Sequence, residues 1–111
     1  MPATECQELD LAPKHLDMVQ AILAATVPHA EVWAYGSRVR RTSSPGSDLD
    51  LVVRNPDAPE TSPPVTATLR AAFADSNLPI NVDVLDWARV PQEFRDEIQR
   101  AYIIIQHPLP S

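Results

Sequence analysis

The stretch Ser47-Asp48-Leu49-Asp50-Leu51-Val52-Val53, which comes after Gly36-Ser37 across a short basic segment, constrains this chain more than any other. It reads as a β-strand, because successive side chains along a strand point to opposite faces. Leu49, Leu51 and Val53 then enter an apolar layer, while Asp48 and Asp50 share the other side. Along the strand the two carboxylates stand about 6.6 Å apart, close enough to hold one hard cation or a pair of them. A site of aspartate oxygens suits magnesium, which takes few protein ligands and completes its shell with water and phosphate.

Just upstream, Val32-Trp33-Ala34-Tyr35 is an apolar strand that runs into Gly36-Ser37. Glycine allows the backbone to approach a ligand closely, and Ser37 can cap a short helix while offering its hydroxyl and amide to a phosphate. Arg38, Arg40 and Arg41 come next, three of the nine basic residues in the chain. Alone, such a cluster is most simply a solvated face. Its place between the glycine-serine pair and the aspartates favours a role near phosphate.

The rest of the chain supplies a frame for this stretch. Leu16, Val19, Ile22 and Leu23 recur at helical spacing from Pro13 to about Thr26, with Pro13 allowed in the first turn and Pro28 ending the pattern. Glu31 to Tyr35 forms the first strand. Trp33 and Tyr35 are suited to stacking on a base, although large aromatics in a short strand more often serve the core. Arg54 to Pro64 is a loop with prolines at 56, 59, 63 and 64, either a lid or a plain connector. A second helix is expected from Pro63 or Pro64 to Ala74, burying Val65, Leu69, Ala72 and Phe73.

A further strand is expected in Leu78 to Trp87, where Ile80, Val82 and Val84 alternate with Asn81, Asp83 and Leu85. Asp83 therefore faces away from the apolar layer. Asp86 has the opposite parity and is better explained as a turn residue that caps the next element. Pro91 opens a helix with Glu93 in its first turn, and Phe94, Ile98, Ala101 and Tyr102 supply its apolar face. Ile103-Ile104-Ile105 fits a short closing strand better than a continued helix.

The spacing of Gly36-Ser37, ten residues, then Asp48-x-Asp50 resembles the signature of the polymerase-beta-type nucleotidyltransferase superfamily. The extended form, from Gly36-Ser37-Arg38-Val39-Arg40 to Ser47-Asp48-Leu49-Asp50-Leu51, is similar to the minimal nucleotidyltransferases, the MntA-like partners of HEPN-type toxins. Val39 and Arg41 depart from the small residue and the glycine usual at those places, and Arg41 alters the turn after the short helix. The resemblance covers most of the chain.

It implies an α/β (α+β) fold, a small mixed sheet with helices packed on one face. It also implies two magnesium ions bridged by Asp48 and Asp50, with Asp83 as the third carboxylate. Asp83 would hold the ion nearer the acceptor and assist removal of its proton. Gly36, Ser37, Arg38 and Ser47 would bind the nucleotide phosphates. Implied as activity is transfer of AMP from ATP to a hydroxyl of a HEPN-type toxin, as the antitoxin of a toxin-antitoxin pair. Two alternatives stand beside it: a small-molecule nucleotidyltransferase of the antibiotic-modifying kind, and an inactive antitoxin that neutralises its partner by contact.

Composition is compatible with these expectations. A chain of 111 residues is expected to form one domain, with residues 1–10 as a lead-in, 11–107 as the domain and 108–111 as a tail. So small a domain is expected to rely on a partner or on self-association for acceptor recognition. The net charge of -6 argues against tracking a nucleic-acid backbone, which rests on phosphate neutralisation by lysine and arginine. The single cysteine, Cys6, has no internal partner for a disulfide. His15, His29 and His107 show no zinc-ligand spacing. The acidic opening MPATECQELD carries no apolar signal, and no stretch is long enough to span a bilayer, so a cytoplasmic protein is expected.

Overall fold

The computed structural model describes residues 9, 11–40, 48–58, 60 and 66–109. Cys6, Arg41, Ser47 and Val65 lie outside the described residues, as do the side chains of Ser37 and Arg40. The elements, in order, are α1 (Pro13–Thr26), β1 (Glu31–Tyr35), α2 (Ser37–Arg40), β2 (Leu49–Arg54), α3 (Thr66–Ala74) and β3 (Val82–Asp86). A 3-10 turn (Trp87–Arg89), α4 (Gln92–Arg100) and β4 (Tyr102–Gln106) complete the chain.

Four strands form one mixed sheet in the order β3-β2-β1-β4. β1 pairs antiparallel with both β2 and β4, whereas β2 and β3 run parallel. Parallel neighbours need a crossover, and α3 provides it. Because β2 and β3 start at the edge where β1 ends, the first residues of β2 and β3 meet the Tyr35-Gly36 corner at one end of the sheet.

Parity decides the two faces. Val32 and Ala34 of β1, Leu49, Leu51 and Val53 of β2, Val84 of β3, and Ile103 and Ile105 of β4 form one apolar surface. Leu16, Val19 and Leu23 of α1 and Leu69 and Phe73 of α3 cover it. Each fully buried aliphatic side chain here contributes about 1.5–3 kcal/mol of hydrophobic stabilisation, which the 14-residue α1 collects with a single stripe. The expected small mixed sheet with packed helices is thus present, but the helices are not confined to one face. The opposite face carries a smaller apolar cluster of Trp33, Val52, Trp87, Val90 and Ile98, so α4 and the 3-10 turn cover part of that side too.

Aromatic contacts fix this second cluster. The rings of Trp33 and Tyr102 stack at 4.1 Å between centroids, and Trp87 meets Trp33 edge-on at 5.1 Å. Arg54 lies over both indoles at 5.6 and 5.9 Å and pairs with Glu31 at 2.7 Å.

Several boundaries differ from expectation. Ala101 and Tyr102 do not belong to the last helix: α4 stops at Arg100, and Tyr102 opens β4, because the free edge of β1 recruits the branched run as a strand. β3 begins only at Val82, and Asp86 is its last residue, paired with Val53. Asp86 precedes the 3-10 turn but makes no side-chain capping bond; its carboxylate lies 3.8 Å from Arg89 instead. Leu9 is 3% exposed within the main core. At the other end, Leu109 donates its N–H to Pro28 O at 2.9 Å and its carbonyl lies 2.9 Å from His29 Nδ1, so packed structure extends past residue 107. Among the described residues no helix is long and apolar enough to cross a membrane.

Candidate active site

One row of side chains crosses all four strands at the end where the Tyr35-Gly36 corner lies. Asp83 of β3 pairs with Asp50 of β2, Asp50 with Tyr35 of β1, and Tyr35 with Tyr102 of β4. Register partners share a face and sit about 4.8 Å apart from strand to strand, so the two carboxylates are immediate neighbours. Asp48 has the same parity, stands exposed just before β2 and adds its charge to Asp50.

Crowding sets the electrostatics. Burial, then the charges of Asp83 and Asp48, push the Asp50 carboxyl above the usual carboxylate range. Burial also raises the Tyr35 phenol, and Asp50 and Asp83 add to that shift, so the hydroxyl stays neutral at physiological pH. Repulsion of this kind is what a bound cation relieves. The donor set, hard carboxylate oxygens carrying excess negative charge, fits magnesium. Among the described residues, however, no three His, Cys, Asp or Glu side chains are already gathered into a metal-holding group. Asp48, Asp50 and Asp83 are neighbours on one face, not a closed cage.

Gly36 is required by two separate constraints. Its φ of +86° lies in the left-handed region, and a Cβ built there would collide with Asp50 Oδ2 and lie 3.4 Å from Asp50 Cγ. The bare backbone of the corner thus rests against the carboxylate of Asp50. Ser37 starts the single-turn helix α2, whose Val39 N–H bonds to Gly36 O at 3.1 Å.

Arg38, the expected phosphate clamp, is only 6% exposed and already has a protein partner. Ser47, also expected to bind nucleotide, lies outside the described residues.

A cavity of about 320 Å³ opens beside this row, lined by Tyr35, Gly36 and Asp50 from the sheet and by Phe94, Glu97, Ile98 and Ala101 from the α4 side. Phe94 and Glu97 carry no signal of a site in the sequence. On α4, Phe94, Glu97 and Ile98 have i, i+3, i+4 spacing, and Ala101 follows the helix end; the apolar stripe through Phe94 and Ile98 was legible, although its location over Asp50 was not. Phe94 meets the Tyr35 ring edge-on at 5.8 Å between centroids.

Known proteins resemble this chain in sequence and in fold. Residues 4–100 match the family described as poly(A) RNA polymerase, mitochondrial-like, central palm domain. A relative from Haemophilus influenzae, named as a probable protein adenylyltransferase MntA, is 38% identical over 103 residues, covering 93% of this chain and 89% of its own length. A solved structure described as a toxin-antitoxin with AMP-PNP shares the fold, with a TM-score of 0.67 at 17% identity over 83% of this chain and 73% of that one. A palm domain spanning nearly the whole chain, together with a relative of this identity and coverage, makes the protein a nucleotidyltransferase of the minimal, MntA-like family.

Proposed function

We propose that the protein is a magnesium-dependent adenylyltransferase that moves AMP from ATP to a hydroxyl of a partner protein. The partner would be a HEPN-type toxin, with this chain as the cytoplasmic antitoxin. The observation that carries the reading is the Asp50–Asp83 pair, in register on the accessible sheet face with Asp48 beside it and Gly36 against it. The name of the Haemophilus relative, a probable protein adenylyltransferase, supports AMP as the group transferred and protein as the acceptor. The description of the structural neighbour, a toxin-antitoxin with an ATP analogue, agrees with that assignment.

In this reading the triphosphate lies against the Gly36-Ser37 corner, where the backbone amides at the start of α2 would donate to its oxygens. Asp48, Asp50 and Asp83 would hold magnesium, which when bound offsets charge on the triphosphate and on the oxygens that gain it. The acceptor hydroxyl attacks the α phosphorus, a new P–O bond forms, the bond to the bridging oxygen breaks and pyrophosphate departs. Asp83, at the open edge of the row, would take the hydroxyl proton. The cavity lined by Tyr35 and Phe94 would offer aromatic surface to the nucleoside.

The test is incubation with α-labelled ATP and the purified product of the neighbouring gene, with and without magnesium. Label on that protein, only with magnesium, supports the reading. Label on a small molecule would favour the antibiotic-modifying alternative, and neutralisation of the partner by Asp50→Asn without label would favour the inactive module.

A further inference from the structure

The cavity beside Asp50 has one polar side chain that the aspartate row does not explain. Among the described residues that line it, Tyr35 and Asp50 belong to the row, and Phe94, Ile98 and Ala101 are apolar; the side chain left over is Glu97. Phe94, Glu97 and Ile98 have i, i+3, i+4 spacing on α4, where neighbours so spaced come within about 5–6 Å of each other. Phe94 meets Tyr35 edge-on, so Glu97 stands about one helical turn beyond the ring that reaches the row.

The fold makes little use of Glu97. Its Oε1 accepts a hydrogen bond from Arg100 Nη1 at 3.0 Å, but the two side chains are 51% and 70% exposed. A surface ion pair of this kind contributes little to stability. An ionised carboxylate offers about four lone-pair sites, so one donor leaves it able to accept others.

We propose that Glu97 binds the ribose hydroxyls of the nucleotide and selects ribonucleoside over deoxyribonucleoside triphosphates, an inference that rests on the nucleotide-transfer reading above. With the phosphates at Gly36 and Asp50, the ribose is the first part of the nucleoside to enter the cavity, because it is joined directly to the α phosphate. The base then meets the apolar surface of Phe94, which is 40% exposed, and of Ile98. At about 320 Å³ the cavity lies at the small end of ligand pockets, a size suited to a nucleoside. A carboxylate only accepts hydrogen bonds. The 2′- and 3′-hydroxyls give it two adjacent donors, the pairing by which acidic side chains hold ribose in dinucleotide sites. Adenine instead presents one donor group, its 6-amino, flanked by the acceptors N1 and N7, which a carboxylate repels. The sugar is therefore the better match.

The experiment measures the affinities of ATP, 2′-deoxy-ATP and inosine triphosphate by calorimetry, with magnesium and without acceptor, for the wild type, Glu97→Ala and Arg100→Ala. In parallel, label transfer from α-labelled ATP and 2′-deoxy-ATP to the purified neighbouring-gene product is followed. The wild type should bind ATP about tenfold more tightly than 2′-deoxy-ATP, the scale of one hydrogen bond to a charged group. Glu97→Ala should bring the two within about twofold, chiefly by weakening ATP. Arg100→Ala loses the same ion pair but keeps the carboxylate, so it should retain the wild-type ratio. Equal affinities in the wild type overturn the proposal, as does a ratio that survives Glu97→Ala or is lost in Arg100→Ala as well. A change confined to the ratio of ATP to inosine triphosphate in Glu97→Ala also overturns it and assigns the carboxylate to the base. Ribose discrimination without label on the partner upholds the role of Glu97 and overturns adenylyl transfer. Transfer from both nucleotides with equal kcat/KM upholds adenylyl transfer and overturns the role of Glu97.

Discussion

Gly36 and Asp50 occupy space that only a glycine leaves free: a Cβ at position 36 would overlap the Asp50 carboxylate oxygen Oδ2, and the backbone there is held at φ +86°. Gly36→Ala should therefore cost about 1–2 kcal/mol from the left-handed backbone alone. It should also displace Asp50 and lower transfer on the order of 10- to 100-fold. Urea denaturation and labelled-ATP kinetics on the same variant measure the two effects separately.

The pH dependence of stability carries a definite sign. Burial, Asp83 and Asp48 raise the folded-state pKa of Asp50, so the folded protein binds that proton more tightly than the unfolded chain does. This contribution is fully present below the unfolded value near 3.8 and is lost as pH rises through the raised folded pKa. Above that window Asp50 weakens the metal-free protein. Asp50→Asn should remove this pH dependence and raise the melting temperature at neutral pH. Because the carboxylate is only partly buried, solvent screening holds the gain to on the order of 0.5 kcal/mol, or about 2–4 °C. Melting curves from pH 3.5 to about 7.5 in chelator check it, with magnesium-free buffer throughout.

Asp83 and Asp86 lie on opposite faces of β3, and substitution should separate their roles. Asp83→Asn is expected to lower kcat by about a hundredfold or more, the scale of losing a general base. Asp86→Asn should leave kcat within about twofold, since its side chain lies away from the row. Equal losses in both variants would contradict the assignment of the third carboxylate.

Far from the row, Arg54 links Glu31 to the two indoles. Arg54→Ala leaves a largely buried carboxylate without its cation and removes two cation–π contacts. It should destabilise the protein by about 2–3 kcal/mol while leaving the KM for ATP unaltered. Lysine at this position should recover only part of the loss, because an ammonium lacks the planar fork and the stacking surface.

Much of this architecture was legible because local patterns and tertiary demands agree. Helical periodicity bounded α1 at Pro13 and Thr26, and branched and aromatic residues bounded β1 at Glu31 and Tyr35. Strand parity separated Asp50 from Leu49 and Leu51, and Asp83 from Val82 and Val84; the register then set Asp50 against Asp83. What escaped depends on contacts distant in sequence. Ala101 and Tyr102 continue the apolar spacing of α4, and only the open edge of β1 makes Tyr102 a strand residue. Nothing local to Phe94 or Glu97 says that α4 folds over Asp50. Asp86 looked like a cap because it precedes a turn, but it is buried at the end of a strand beside Arg89. Arg38 looked available from its neighbours in sequence, whereas packing buries it.

The central claim, that Asp48, Asp50 and Asp83 together hold the cation that binds the nucleotide, is tested most directly by thermal melting with magnesium, with a non-hydrolysable ATP analogue, and with both. At about 100 times the dissociation constant, ligand binding should stabilise the wild type by roughly 2.7 kcal/mol, a rise of several degrees seen only when both are present. Asp50→Asn should melt at or above the wild-type temperature without ligand and show no such rise. An equal rise in wild type and variant, or none in the wild type, would contradict the account.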